Sequence, residues 1–108
     1  MGWRSRTNTK AETEIEEYLH EKTKASGGKC PKWTSPGTIG VPDRIVLMPR
    51  VMCFVETKRE VGGKKSGSQK YWVRELNKLG HRAYFINTKD QVDNLIKHME
   101  KGQLPDEL

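Results

Sequence analysis

The sequence lacks an apolar run long enough to cross a bilayer. Only 33% of its 108 residues are hydrophobic, and a spanning helix needs about 18 or more consecutive apolar residues, so no integral membrane segment is expected. The first ten residues, Met1 to Lys10, are polar and carry no apolar stretch, which predicts no cleaved secretory leader. Cysteine is scarce. Cys30 and Cys53 are too few for a disulfide framework, and without a leader they read as free thiols, Cys53 as a small core residue inside an apolar run. No CxxC or HxxxH spacing occurs, and His20, His81 and His98 are scattered. That argues against a structural zinc site and a Cys–His nucleophile. There are no internal repeats and no long low-complexity tract.

Basic charge is what the chain has in excess. Lys and Arg number 20 against 14 Asp and Glu, a formal net charge of +6. A polyanionic partner follows as the first expectation, nucleic acid before a membrane surface. The length suits one domain, and a domain of this size buries only about two-thirds of its unfolded surface, so extra burial in a homo-oligomer is expected.

Along the chain, residues 1–10 read as a flexible tail. Ala11 to Ala25 reads as a helix, with Ala11, Ile15, Tyr18, Leu19 and Lys22 at helical spacing and Gly27-Gly28 as its stop. Lys29 to Trp33 is a short strand that Pro31 pushes to a sheet edge. Arg44–Met48 and Val51–Val55 are the strongest strand candidates, joined by Pro49-Arg50 as an antiparallel hairpin. A polar loop over 59–68 leads to a helix from Gln69 to Leu79, ended by Gly80. Arg82 to Asn87 is a buried strand, and Thr88-Lys89-Asp90-Gln91 opens a third helix as a capping box. Residues 102–108 read as a frayed tail. The order predicts an α/β domain, a mixed sheet with helices packed on it.

Two segments carry the chemistry: Gly40-Val41-Pro42-Asp43 and Glu56-Thr57-Lys58. Residues two apart in a strand share a face, so Glu56 and Lys58 project together if the strand continues to them. With a two-residue turn Met48 pairs with Val51, and the same register sets Asp43 opposite Glu56 with Cβ atoms about 5 Å apart. A three-residue turn would break that pairing. Adjacent carboxylates repel in a low-dielectric site, and a divalent cation resolves the conflict. Each residue alone also suits a solvated strand end or a turn; the combination is what points to chemistry.

These residues resemble the PD-(D/E)xK nuclease superfamily, in Pro42-Asp43 and then Glu56-Thr57-Lys58. The extended string resembles its VRR-NUC (virus-type replication–repair nuclease) branch: Gly27-Gly28, Lys32-Trp33, Gly40-Val41-Pro42-Asp43-Arg44, Phe54-Val55-Glu56-Thr57-Lys58, Ser66 and Gln69, and Leu79-Gly80-His81. The resemblance spans roughly Ala11 to Ile96, and the expected domain is 11–101. It implies a restriction-endonuclease-like αβββαβ core and a Mg²⁺-dependent phosphodiesterase in which Mn²⁺ can substitute. Asp43, Glu56 and the Thr57 carbonyl would be metal ligands, Lys58 the catalytic lysine and Gln69 a glutamine beside the site. A first-helix acid would join them. Glu12 matches best, three before Ile15, while Glu14 and Glu16 stay open; at about 100° per residue Glu12 and Glu14 both border the apolar face. Thr57 stands where an aliphatic residue is common, and strand alternation turns it away from the site, so little consequence is expected.

The resemblance further implies hydrolysis of a DNA phosphodiester by a metal-activated water, leaving a 5′ phosphate and a 3′ hydroxyl. Stand-alone members of this size are typically viral (phage) or bacterial, and resemble homodimeric endonucleases that cut branched DNA such as four-way (Holliday) junctions. The expected location is the cytoplasm of a bacterium or an infected host cell, with no membrane partner and no small-molecule cofactor. Lys32, Arg44, Arg59, Lys64, Lys65, Lys70 and Arg74 are the candidate phosphate contacts. Trp33, Tyr71 and Trp72 could stack on unpaired bases, though Trp72 reads better as core or dimer interface. Two alternatives stay in view: a non-catalytic nucleic-acid-binding module and a sequence-specific restriction-type nuclease.

Overall fold

The computed structural model describes residues 9–108. The elements run α1 (Thr9–Ala25), β1 (Arg44–Met48), β2 (Val51–Thr57), α2 (Gly67–Lys78), β3 (Ala83–Ile86) and α3 (Lys89–Glu100). β2 lies between β1, to which it is antiparallel, and β3, to which it is parallel. The first eight residues of the expected tail lie outside the described residues, and α1 starts at Thr9, two residues earlier than the periodicity suggested.

The hairpin has the predicted two-residue turn. Met48 pairs with Val51 and Arg44 with Val55. Proline presets its own φ near −65°, and Arg50 takes the left-handed φ of 73° that such a turn usually reserves for glycine. Alternation along the hairpin then sorts the side chains. Val46, Met48, Cys53 and Val55 face α1 and α3 and form the core with Ile15, Leu19, Ile86, Val92, Leu95, Ile96 and Met99. Ile45, Leu47, Met52 and Phe54 fall on the opposite face, where Trp33 lies 5.2 Å from Phe54 and 6.3 Å from Trp72 between ring centroids.

The 29–33 segment runs antiparallel along the free edge of β1. The Lys29 and Leu47 amides each donate to the other's carbonyl at 2.8 Å, Ile45 donates to the Pro31 carbonyl at 3.0 Å, and the Trp33 amide to Asp43 at 2.9 Å. Pro31 has no N–H to return, so the pairing reduces to two isolated bridges. With this edge included, the chain has the αβββαβ order, followed by α3. Gly28 starts the segment so close to β1 that a Cβ there would sit 2.4 Å from the Leu47 carbonyl oxygen. The edge also settles the thiols. Cys30 stands across from Val46, which in turn pairs with Cys53, so a whole strand separates the two buried cysteines and they stay free.

Both later helices open with capping boxes, Ser66 with Gln69 for α2 and Thr88 with Gln91 for α3. The expected start of α2 at Gln69 is therefore two residues late, because Gln69 occupies the third helical position and its amide closes the box. Asn77 on α2 donates to the Ala83 carbonyl at 3.0 Å and accepts from the Ala83 amide at 3.2 Å, fixing where β3 begins.

The frayed tail expected at 102–108 is instead packed. Leu104 and Leu108 lie against the core cluster, the Tyr84 hydroxyl donates to the Pro105 carbonyl, and Arg82 pairs with Asp106 at 2.6 Å. A phenol buried at a strand centre needs a partner, and the tail supplies it. Removing residues 103–108 is predicted to cost about 1–3 kcal/mol of stability, from one lost buried hydrogen bond and two part-buried leucines. Urea unfolding of the truncated chain checks this, and an unchanged midpoint would mean that the tail holds nothing.

Candidate active site

The site forms where the hairpin register runs out. Continuing the β1–β2 pairing by one step sets Asp43, the residue before β1, across from Glu56 near the end of β2. Glu56 is only 4% exposed. Its Oε2 accepts from the Gln69 Nε2 at 2.8 Å and lies 3.5 Å from the Lys58 Nζ. The other end of the same glutamine amide, Oε1, accepts from the Ser66 backbone at 3.0 Å. Gln69 thus ties the α2 cap to the buried carboxylate. Asp43 is half-buried, and its Oδ2 accepts from both the Thr57 amide (3.2 Å) and the Thr57 hydroxyl (2.7 Å).

Thr57 therefore takes part in the site, contrary to the reading that alternation turns it away. The alternation holds for the strand, but Asp43 lies just outside β1, and its carboxylate reaches across the sheet end to the far face. The readable signal was a fully buried hydroxyl at the end of an apolar strand, which needs an acceptor.

The acids are unequal. Burial pushes the Glu56 carboxyl up to about 8, and hydrogen bonding with and repulsion from Asp43 add to this, while Lys58 works against it. Burial also raises the Glu12 carboxyl, in a field where Lys58 and Arg59 pull down and Asp43 and Glu16 push up. Glu12 on α1 is thus half-buried within the electrostatic reach of Asp43, Lys58 and Arg59. Glu16 does not. It pairs with Arg44 at 2.8 Å and with Lys32 at 3.8 Å. Glu14 is exposed beside Glu60, Lys89 and Asp90 in an open cleft of about 410 Å³.

The basic candidates divide. Lys64, Lys70 and Arg74 are exposed. Lys65 is exposed too, its ammonium 4.4 Å from the centre of the Phe85 ring, and Phe85 pairs with Glu56 across the sheet. Lys32 has its head largely in solvent. Arg44 is not the free phosphate contact expected of it. Its guanidinium also donates to the Cys30 carbonyl at 2.7 Å, so it pins α1 to the edge segment, as an arginine on the core face of a strand must. Arg59 folds back on its own loop to the Gly62 carbonyl at 3.1 Å, with its Nε buried and unpartnered. Gly40 sits where a Cβ would come within 2.6 Å of the Ser68 backbone, at a φ of +91°. That contact seats the loop before Asp43 against the start of α2.

Among the described residues no three His, Cys, Asp or Glu side chains converge as a ready metal cluster. The donors present nonetheless suit a hard divalent cation: two adjacent carboxylates, one kept high by burial and by its neighbour, with a third acid in electrostatic reach.

An acid ahead of one strand, with an acid and a lysine ending the next, is the arrangement of a PD-(D/E)xK nuclease core. The comparisons agree. No family model matches the sequence. A curated relative, "Putative nuclease p44" of Acyrthosiphon pisum secondary endosymbiont phage 1, is 36% identical over 80 residues, which is 73% of this chain and 85% of the relative. A solved structure described as a VRR-NUC domain superposes with a TM-score of 0.75 at 32% identity, covering 82% of this chain and 96% of that one. The chain belongs to the VRR-NUC family.

The raised Glu56 carboxyl sets a pH dependence. Its folded value, about 8, lies above the ordinary 4.5. The neutral form is thus favoured by folding, and this contribution is present at low pH and is lost as pH rises through about 8. In metal-free buffer the wild-type melting temperature should fall relative to that of Glu56→Gln between about pH 4.5 and about pH 8. Parallel melting curves across that range would contradict the assignment.

Proposed function

We propose that this chain is a divalent-metal-dependent endonuclease that hydrolyses DNA phosphodiesters and selects branched DNA, four-way junctions foremost, by shape. The observation that carries the reading is the convergence of Asp43, Glu56, Lys58 and Gln69 at one sheet end, with Glu56 buried against both Lys58 and Gln69.

Asp43 and Glu56 would hold Mg²⁺, or Mn²⁺ in its place, with the Thr57 carbonyl and Glu12 completing the oxygen set. The cation supplies positive charge against the phosphate and acidifies a water. Gln69 keeps Glu56 from turning away when the carboxylate ionises. Lys58, with its ammonium beside that carboxylate, is placed to steady negative charge gathering on a phosphate oxygen. Lys64, Lys65 and Lys70 run beside the site on the 59–66 loop and the first turn of α2, and Arg74 follows one turn on. Contacts from them to phosphates position DNA without reading bases, which suits recognition by shape.

Junction cutting needs two coordinated incisions, so the proposal includes a two-fold symmetric homodimer. Leu47 and Met52, a cross-strand pair left 37% and 44% exposed, offer apolar surface of the kind a second copy would cover. Sedimentation at micromolar concentration should show the dimer; a monomer would remove the resolvase part of the proposal and leave the nuclease part standing.

The direct test is cleavage of junction, flap, single-stranded and linear duplex DNA with Mg²⁺ or Mn²⁺ and with EDTA. Cutting of branched substrates that stops in EDTA is expected. Glu56→Ala and Lys58→Ala should lower cleavage by about 100-fold or more while DNA binding stays within several-fold. Binding without cutting under every condition would make the chain a nucleic-acid-binding module instead.

A further inference from the structure

Most of the hydrogen bonds around the site join residues whose roles follow from the acid–lysine pattern. The Thr57 hydroxyl is the exception. It is fully buried, on the strand face that carries Val55 and Cys53, where an aliphatic side chain would pack as well. A buried hydroxyl without an acceptor is costly, and the acceptor it has is Asp43.

The geometry is selective. Both Thr57 donors, amide and hydroxyl, go to the same oxygen, Oδ2, and the hydroxyl makes the shorter bond, 2.7 Å against 3.2 Å. A carboxylate gripped on one oxygen by two donors cannot rotate freely, and its other oxygen, Oδ1, is left for another partner. Asp43 is otherwise poorly restrained. It stands in the loop before β1, and among the described residues the hydrogen bonds to its carboxylate come from Thr57, so without the hydroxyl it is free to turn towards water. The backbone amide alone, at 3.2 Å, lies at the long end of the hydrogen-bond range.

We propose that the Thr57 hydroxyl is a positioning group for Asp43, holding one carboxylate oxygen so that the other faces the divalent cation. The proposal rests on the metal-site reading above. Thr57 touches neither cation nor substrate through this hydroxyl. It acts through Asp43, as partners that orient a metal-ligating carboxylate do. Its loss should weaken cation binding.

The test titrates Mn²⁺ into the full chain by calorimetry, with wild type, Thr57→Val, Thr57→Ser and Asp43→Asn side by side. The Mn²⁺ concentration giving half-maximal cleavage of a junction is the second readout. Thr57→Val keeps the shape and removes the donor; it should weaken Mn²⁺ binding by about 10- to 100-fold and raise the half-maximal Mn²⁺ in step. Thr57→Ser restores the donor and should bind within about threefold of wild type. Should Thr57→Val not fold, Thr57→Ala against Thr57→Ser makes the same comparison. Wild-type affinity in Thr57→Val would overturn the proposal, and so would a Thr57→Ser variant as weak as Thr57→Val, since bulk rather than the hydroxyl would then be at work. If Asp43→Asn abolishes binding while Thr57→Val does not, only this inference fails. If wild type binds no Mn²⁺ that Asp43→Asn loses, the metal-site reading fails and this inference with it.

Discussion

Two carboxyl groups held side by side at the end of a β-hairpin repel each other, and much of this small domain is arranged around keeping them there. The hairpin turn at Pro49-Arg50 sets the register, and the register sets Asp43 against Glu56. Left in water the pair would separate. Here Glu56 is buried and held by Gln69 and Lys58, while Asp43 is held on one oxygen by Thr57. Burial first, and Asp43 beside it, push the Glu56 carboxyl up to about 8. Strain of that kind is useful when a cation is to be bound, because binding releases it and selects the ionised form of both acids.

Each helix has a separate part in holding the acids. α1 carries Glu12 within the electrostatic reach of Asp43 and Lys58, and the Glu16–Arg44 pair, with the Arg44 bond to Cys30, locks α1 onto the edge segment beside β1. α2 contributes through its cap: the glutamine that closes the capping box is also the one that bonds Glu56, so helix formation and site assembly use one side chain. Gly40 lets the loop before Asp43 press on the same cap. α3 stays on the core face, and its cluster with α1 gives the sheet a rigid back. Lys64 and Lys65 of the 59–66 loop, both exposed, add positive charge on this side of the domain.

Much of this is legible in the chain itself. The hairpin and its register follow from two apolar runs around Pro49-Arg50, and the edge placement of 29–33 from Pro31. The α3 capping box follows from Thr88 and Gln91. What escaped reading has physical causes. Arg44 reads as one more basic residue near an acidic motif, and only the sheet's alternation turned against α1 shows that it is consumed by Glu16. Thr57 reads as pointing away because alternation describes strands, while Asp43 sits one step outside one. The C-terminal segment reads as loose because Leu104 and Leu108 are too few to form a periodic pattern; their anchor is a tyrosine hydroxyl 21 residues upstream in the sequence. The first-helix acid stayed ambiguous because helical phase places Glu12 and Glu14 alike at the border of one face, and the choice falls to what stands opposite.

The central claim is that Asp43 and Glu56 form one cation site. Anomalous diffraction from crystals of the wild-type protein soaked in Mn²⁺ tests it without recourse to activity. A strong anomalous peak bridging the Asp43 and Glu56 carboxylates, absent from Asp43→Asn crystals treated alike, is the predicted result. A well-ordered pair of carboxylates with no peak between them, or the dominant peak elsewhere on the protein, would contradict it.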